Sequence, residues 1–130
     1  MYSSVRAFDS NRSVHVNHWT AAITTYSEKN TPAYPSFRRF IVDEETMLPV
    51  KIETYIMDIY AEDPTFKLSH ELTEFYNMRD LSPLSFDKLS VKLYEDEGTA
   101  YAFERAKNAF GTNIYLGDEC DLECREWLYC

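Results

Sequence analysis

The chain has 130 residues, 45% hydrophobic and 15% aromatic, and a net charge of −9. That length suits one domain able to bury its own core, and the apolar share excludes a disordered acidic tail. The acidic balance argues against a nucleic-acid partner, which needs basic surface, and against polybasic docking on anionic lipid.

No apolar run approaches the roughly 18 residues of a membrane-spanning helix. The stretch after Met1, "YSSVRAFDSN", has neither the basic start nor the apolar run of a signal peptide. Asn11-Arg12-Ser13 is a glycosylation sequon. In "SVHVNHWTAAITTY", β-branched and aromatic residues predict a strand, with Val14, Val16 and His18 on one face by period two. "SEKNTPAYPS" is a turn-rich loop with two prolines, and "FRRFIVD" a short strand. After a turn at "DEET", "MLPVKIETYIMDI" is the strongest strand. Leu48, Val50, Ile52, Thr54 and Ile56 share one of its faces, and Lys51, Glu53 and Tyr55 the other. Pro49 belongs near its start or at an edge.

The second half reads as helical. Asp63-Pro64 has the form of an N-cap followed by Pro at the first helical position. Leu68, Leu72, Phe75 and Tyr76 then form a stripe, and Asn77 can close the helix in the left-handed conformation. Ser82-Pro83 repeats the start signal ahead of Phe86, Leu89 and Leu93. Gly98 separates a third helix bearing Ala102, Phe103, Ala106 and Phe110, and Asp118 caps a last short helix carrying cysteines. Strands followed by helices give an α+β class: a few N-terminal β-strands, then a small C-terminal helical bundle, with residues 1–60 strand-rich and 61–130 helical. Three strands make a thin sheet for such a bundle, which suggests the edge of a larger one.

Catalytic constellations are hard to find. Zinc needs three or four convergent His, Cys or carboxylate ligands. His15 and His18, three apart in a strand, point to opposite faces, and His70 lies far off on a predicted helix. Cys120 and Cys124 with Asp118 and Glu119 make an incomplete metal cluster. There is no G-x-S-x-G, P-loop or G-x-G-x-x-G. The carboxylate runs Asp43–Glu45 and Glu95–Glu97 read as solvated turns. All three cysteines fall in the last residues, "GDECDLECREWLYC". At i and i+4 of a helix, Cys120 and Cys124 would have Cα atoms about 6 Å apart, within the roughly 4.4–6.8 Å of a disulfide. Two reduced thiols are the other reading, and Cys130 is left over.

Four stretches together carry a family resemblance: "AITTYSEKN", "PSFRRFIVDEETMLPVKIETYIMDI", "FYNMRDLSPLSFDKLSVKLY" and "CDLECREWLYC". In order and spacing they resemble the C-terminal region of acid sphingomyelinase-like phosphodiesterases, of the calcineurin-like metallophosphoesterase superfamily. That pattern runs Thr-Thr-Tyr, Asn-Pro-x-aromatic-Arg, a Tyr-containing strand, Tyr-Gly-x-x-Asp-Leu-Ser-Pro, and Cys-x3-Cys-x5-Cys. It covers the chain from about Val14 to Cys130. The chain departs from it in the extra residues between Asn30 and Pro35, in Asn77 where Gly is usual, and in a shorter link after the Tyr55 strand.

The resemblance implies that residues 1–60 end a metallophosphoesterase sheet and that 61–130 form a helical C-terminal domain. It implies a full-length enzyme in which two zinc ions activate water against a phosphodiester, for example sphingomyelin, giving ceramide and phosphocholine. The metal ligands of such enzymes sit upstream, and Asp-x-His, Gly-Asn-His and Gly-His-x-His do not occur here. The chain would thus hold neither catalytic residues nor zinc, and its partner would be the upstream core of the same polypeptide. Thr25 and Tyr26 match a loop beside the metal site, with Tyr26 facing substrate. Arg38 matches a structural arginine, and Tyr2 is a candidate match to another tyrosine near the site. Cys120 and Cys124 match a bridged pair, and Cys130 matches half of a second pair. The implied location is secreted or lysosomal, with Asn11 glycosylated; if Met1 is a true start, the chain is instead a cytosolic, non-catalytic binding module derived from that tail.

Overall fold

The computed structural model describes residues 2–6, 13–18, 23, 34–107, 109 and 120–129. Five strands come first: β1 (Tyr2–Arg6), β2 (Ser13–His18), β3 (Ser36–Val42), β4 (Pro49–Met57) and β5 (Phe66–Glu71). Four helices follow: α1 (Leu72–Tyr76), α2 (Pro83–Glu95), α3 (Glu97–Lys107) and α4 (Leu122–Tyr129). The class is α+β, as the order of sequence signals indicates. Among the described residues the strands form two antiparallel sheets, β1-β2 and β3-β4-β5. Tyr2 stands opposite His18 in the first, and Phe37, Tyr55 and Leu68 lie in one row of the second.

Strand β4 is central because its alternation serves two environments. Ile52 and Thr54 are buried in the interior. Tyr55 faces the other way, where its ring stacks on Phe37 at 5.0 Å and Phe66 meets Phe37 edge-on at 5.0 Å. The apolar face expected along Leu48, Val50 and Ile52 splits in two. Ile52 is fully enclosed, whereas Leu48 and Val50 are 62% and 58% exposed. They belong to a β3–β4 hairpin whose end also exposes Val42 and Met47. Its turn is well held: Asp43 Oδ1 accepts from the Thr46 N–H and O–H, both at 2.8 Å. Met47 adopts φ 57 to close it.

One expected helix is corrected. The stretch after Asp63-Pro64 is strand β5, not helix, and His70 sits on that strand. The Leu68, Leu72, Phe75 and Tyr76 spacing imitates a helical stripe. Phe66 and Leu68 also alternate with Lys67 and Ser69, and pairing with the free edge of β4 decides between the two periods. The helix begins only at Leu72. There Glu71 acts as N-cap, its carboxylate accepting from the N–H groups of Thr73 (3.1 Å) and Glu74 (2.9 Å).

Two local signals, Asn77 and Ser82-Pro83, act as the sequence indicates, and the break before α3 is shifted. Asn77 ends α1 at φ 51 in the left-handed region. Ser82 caps α2, accepting from the Ser85 N–H at 3.3 Å, with Pro83 next. The break before α3 is at Asp96 rather than Gly98, because the Asp96 carboxylate accepts from Thr99 N–H at 2.9 Å. Asp118 and Phe110 lie outside the described residues. The α4 N-terminus is capped by Asp121, which accepts from the Cys124 N–H at 3.0 Å.

Helix α2 is the centre of the interior. Its Phe86, Leu89 and Leu93 meet Ile52 of β4, Leu72 and Tyr76 of α1, and Phe103 of α3. Full burial of each such side chain is worth about 1.5–3 kcal/mol. Sheet β1-β2 joins this core from the far side through Tyr2, whose ring lies 4.7 Å from Phe86 and 5.8 Å from Phe103.

Candidate functional site

Among the described residues, four titratable side chains meet in a seam between β1, β2, β3 and the helices α1, α2 and α3. Tyr2, His18, Arg38 and Tyr76 line it together with Phe86 and Phe103. The His18 ring is set edge-on to Phe40 at 5.5 Å and to Phe86 at 5.2 Å. Its Nδ1 is buried and meets no hydrogen-bond partner among the described residues. Burial, and secondarily the charge of Arg38, hold its pKa down at about 4. His70 is also lowered to about 4, first by burial and then by the charge of Arg38, with Glu71 opposing. Burial also lowers Arg38 from the ordinary guanidinium range, opposed by Tyr76. The phenols shift the other way. Burial raises Tyr2 to about 12 and raises Tyr76 further, with Arg38 partly offsetting the latter.

These groups are not arranged as a reaction centre. The Tyr2 hydroxyl shares a hydrogen bond with Ser90 Oγ at 2.9 Å and donates to the Phe86 carbonyl at 3.1 Å. The open space among the seam residues is about 10 Å³, which holds at most one water. The seam therefore locks β1, β2 and β3 onto the helices and keeps His18 neutral. It offers a substrate no room.

A second polar cluster lies on the outer face of β3-β4-β5. The Glu53 carboxylate accepts from Arg39 Nε at 2.8 Å and Tyr55 Oη at 3.1 Å, and pairs with Lys51 Nζ at 3.0 Å. Hydrogen bonding by Lys51 is the first cause that lowers the Glu53 pKa, against the opposing effect of desolvation. Glu53 is nearly inaccessible because flexible Arg39 and Lys51 lie over it, not because it enters the core. The cluster fixes the β3–β4 register.

Of the site residues expected from sequence, Arg38 takes its place in the seam. Asn11, Thr25, Tyr26 and Cys130 lie outside the described residues. Cys120 and Cys124 are disulfide-bonded with Cα atoms 5.4 Å apart. Cys120 precedes α4 and Cys124 lies in its first turn, so the bridge ties the entering chain to the helix and does not run along it. Arg125 Nη1 donates to the Tyr94 carbonyl at 3.0 Å and joins α4 to the end of α2.

The described residues do not fit a pair of zinc ions. No three His, Cys, Asp or Glu side chains among them converge on a point where a metal could sit. His15 is exposed while His18 turns into the seam. Gly117-Asp118-Glu119-Cys120-Asp121 spells Gly-Asp-x-x-Asp, a spacing also found among metallophosphoesterase ligand motifs. Its described members are otherwise engaged, Cys120 in the disulfide and Asp121 as a helix cap.

Comparison with known proteins adds what geometry does not. The chain is 35% identical over 80 residues to sphingomyelin phosphodiesterase B of Dictyostelium discoideum, a match covering 58% of this chain. It is 28% identical over 130 residues to sphingomyelin phosphodiesterase 2 of Caenorhabditis elegans, covering 92% of this chain. The chain is distantly related to sphingomyelin phosphodiesterases. It spans only 12% and 20% of the length of these two relatives. No family model matches it.

Proposed function

We propose that this chain is the C-terminal portion of an acid sphingomyelinase-like phosphodiesterase, with the metal-binding core upstream in the same polypeptide. The observation that carries this reading is the pair of matches to sphingomyelin phosphodiesterases many times its length. On this reading two zinc ions held by the upstream core supply the activated water. The full-length enzyme cleaves a phosphodiester such as sphingomyelin to ceramide and phosphocholine, and the 130-residue portion is inactive alone. Its strands extend the sheet of the core, Thr25 and Tyr26 reach the substrate, and the seam around Arg38 holds the strands in place. The working compartment is the lysosomal lumen or the outside of the cell. The Cys120–Cys124 bridge suits such a place, with Asn11 glycosylated and Cys130 paired beyond this chain.

The test is a segment exchange. The C-terminal part of Dictyostelium sphingomyelin phosphodiesterase B that aligns with this chain is replaced by the chain itself. Retained sphingomyelin hydrolysis is expected. A chimera that folds and loads zinc but turns over no substrate contradicts the reading. The isolated chain, given zinc and a chromogenic phosphodiester, is expected to show no turnover, and robust activity would equally contradict it.

A further inference from the structure

Between the end of α1 and the flank of α2 the surface opens into a hollow of about 220 Å³. Asn77, Arg79, Ser85, Lys88 and Lys92 line it over an apolar floor at Leu89. No carboxylate is among its described lining residues. The chain has 22 acidic side chains against 13 basic ones, so three cations gathered around one hollow reverse the local balance of the molecule.

Nearby acids offset the cations of the hollow only in part, Lys92 acting on the Asp96 carboxylate without a close ion pair. Lys88 and Lys92 lie one turn apart on α2 and repel each other, since like charges at i and i+4 destabilise a helix slightly. Among the described residues neither makes an ion pair. Arg79 stands 3.9 Å from Asp80 Oδ2, too far for a close pair. The other oxygen of Asp80 is taken by Ser82 and by Ser85 Oγ at 2.6 Å, so this acid is turned to the α2 cap. Asn77, fixed in the left-handed conformation, sits at the rim with an amide able to donate. An arginine fork, two ammonium groups and an amide suit a tetrahedral oxyanion of charge about −2.

We infer that this groove binds a phosphate-bearing anion. The hollow is smaller than the roughly 300–1,000 Å³ of pockets for drug-sized ligands, so the ligand is a phosphate ester of headgroup size with its organic part against Leu89. The shared chemistry is the phosphate group, carried by a soluble ester or presented by a lipid headgroup. The site stands apart from the proposed phosphodiester cleavage, which makes no use of these residues.

The experiment is an amide-resolved NMR titration of the full 130-residue chain with inorganic phosphate and with glycerol phosphate. Sodium chloride serves as control, at low ionic strength because exposed charges are screened by salt. Saturable shifts confined to residues 76–79 and 85–92 are expected. In the Lys88→Gln/Lys92→Gln variant, affinity should fall at least about ten-fold, and Lys67→Gln on β5 should leave it unchanged. Thermal melts establish that the variants fold. A sedimentation arm with vesicles of phosphatidylcholine plus phosphatidic acid separates the sources. Pelleting lost in the double variant, without soluble binding, assigns the phosphate to a lipid. Soluble binding without pelleting assigns it to a free ester. No saturable response in either arm, equal shifts with chloride, or binding indifferent to the double variant would overturn the inference.

Discussion

His18 is a titratable side chain held neutral by its neighbours, and its pH dependence follows. Its ordinary pKa is about 6.5, and in the fold it is about 4. The unfolded chain therefore takes up a proton as pH falls through 6.5, while the folded chain does not until about 4. Stability from the neutral ring is present above pH 6.5 and is lost as pH drops from there to about 4. His70 acts in the same direction over the same window. The charge of Arg38, which lines the same seam, acts in the same direction as burial. Urea denaturation at pH 7.5 and pH 4.5 is expected to give a smaller unfolding free energy at the lower pH. His18→Phe keeps the ring packing on Phe86 and should reduce that loss, the remainder coming from His70 and from carboxylates such as Glu53 and Glu71 whose pKa the fold lowers. An unchanged loss in His18→Phe would mean that His18 is not held neutral by the fold. The strand period places His18 on one face with Val14 and Val16, but its environment depends on Arg38 and Phe86, which the chain brings in from far along the sequence.

At the scale of elements, what could be read in advance was what acts locally. Asn77, Ser82-Pro83 and the β4 alternation work through their own or adjacent backbone groups, so residue type and spacing suffice. Strand β5 was not legible, because its choice between two periods is made by β4, a partner outside its own segment. For the same reason Glu71 is not legible as a cap in the sequence: it is recognisable only once the helix start is known to be Leu72. Glu71→Ala removes the acceptor for two N–H groups and for the Thr73 hydroxyl at 2.6 Å. A loss of about 1–2 kcal/mol is expected, the upper range for N-caps, measured by chemical denaturation, with Glu71→Asp or Glu71→Ser recovering part of it. No loss would show that α1 does not depend on this cap. The Cys120–Cys124 bridge closes a very short loop, so its entropic contribution is limited to about 2 kcal/mol. Thiol labelling of the denatured, unreduced protein should find one free thiol per chain, and three would contradict the bridge.

Among the described residues, an enclosed helical core is joined to a strand region that leaves apolar side chains exposed. Phe86, Leu89, Leu93, Ile52 and Phe103 enclose one another. By contrast, Val42, Met47, Leu48 and Val50 stand out at the end of a well-held hairpin, an apolar surface of the kind that marks a contact. The fold class was readable from the order of strand and helix signals. The candidate site was only partly readable: Arg38 could be singled out, but the seam around it and the groove beside Lys88 and Lys92 arise from packing between distant elements. The functional claim rests on similarity to proteins much longer than this chain, so the most direct test is the size of the native polypeptide. An antibody raised against residues 75–88, "FYNMRDLSPLSFDK", should detect in cells a band several times heavier than 15.3 kDa, carrying a metal-binding core upstream. A single band at 15.3 kDa would contradict the account and leave a small protein whose role must be sought in what it binds.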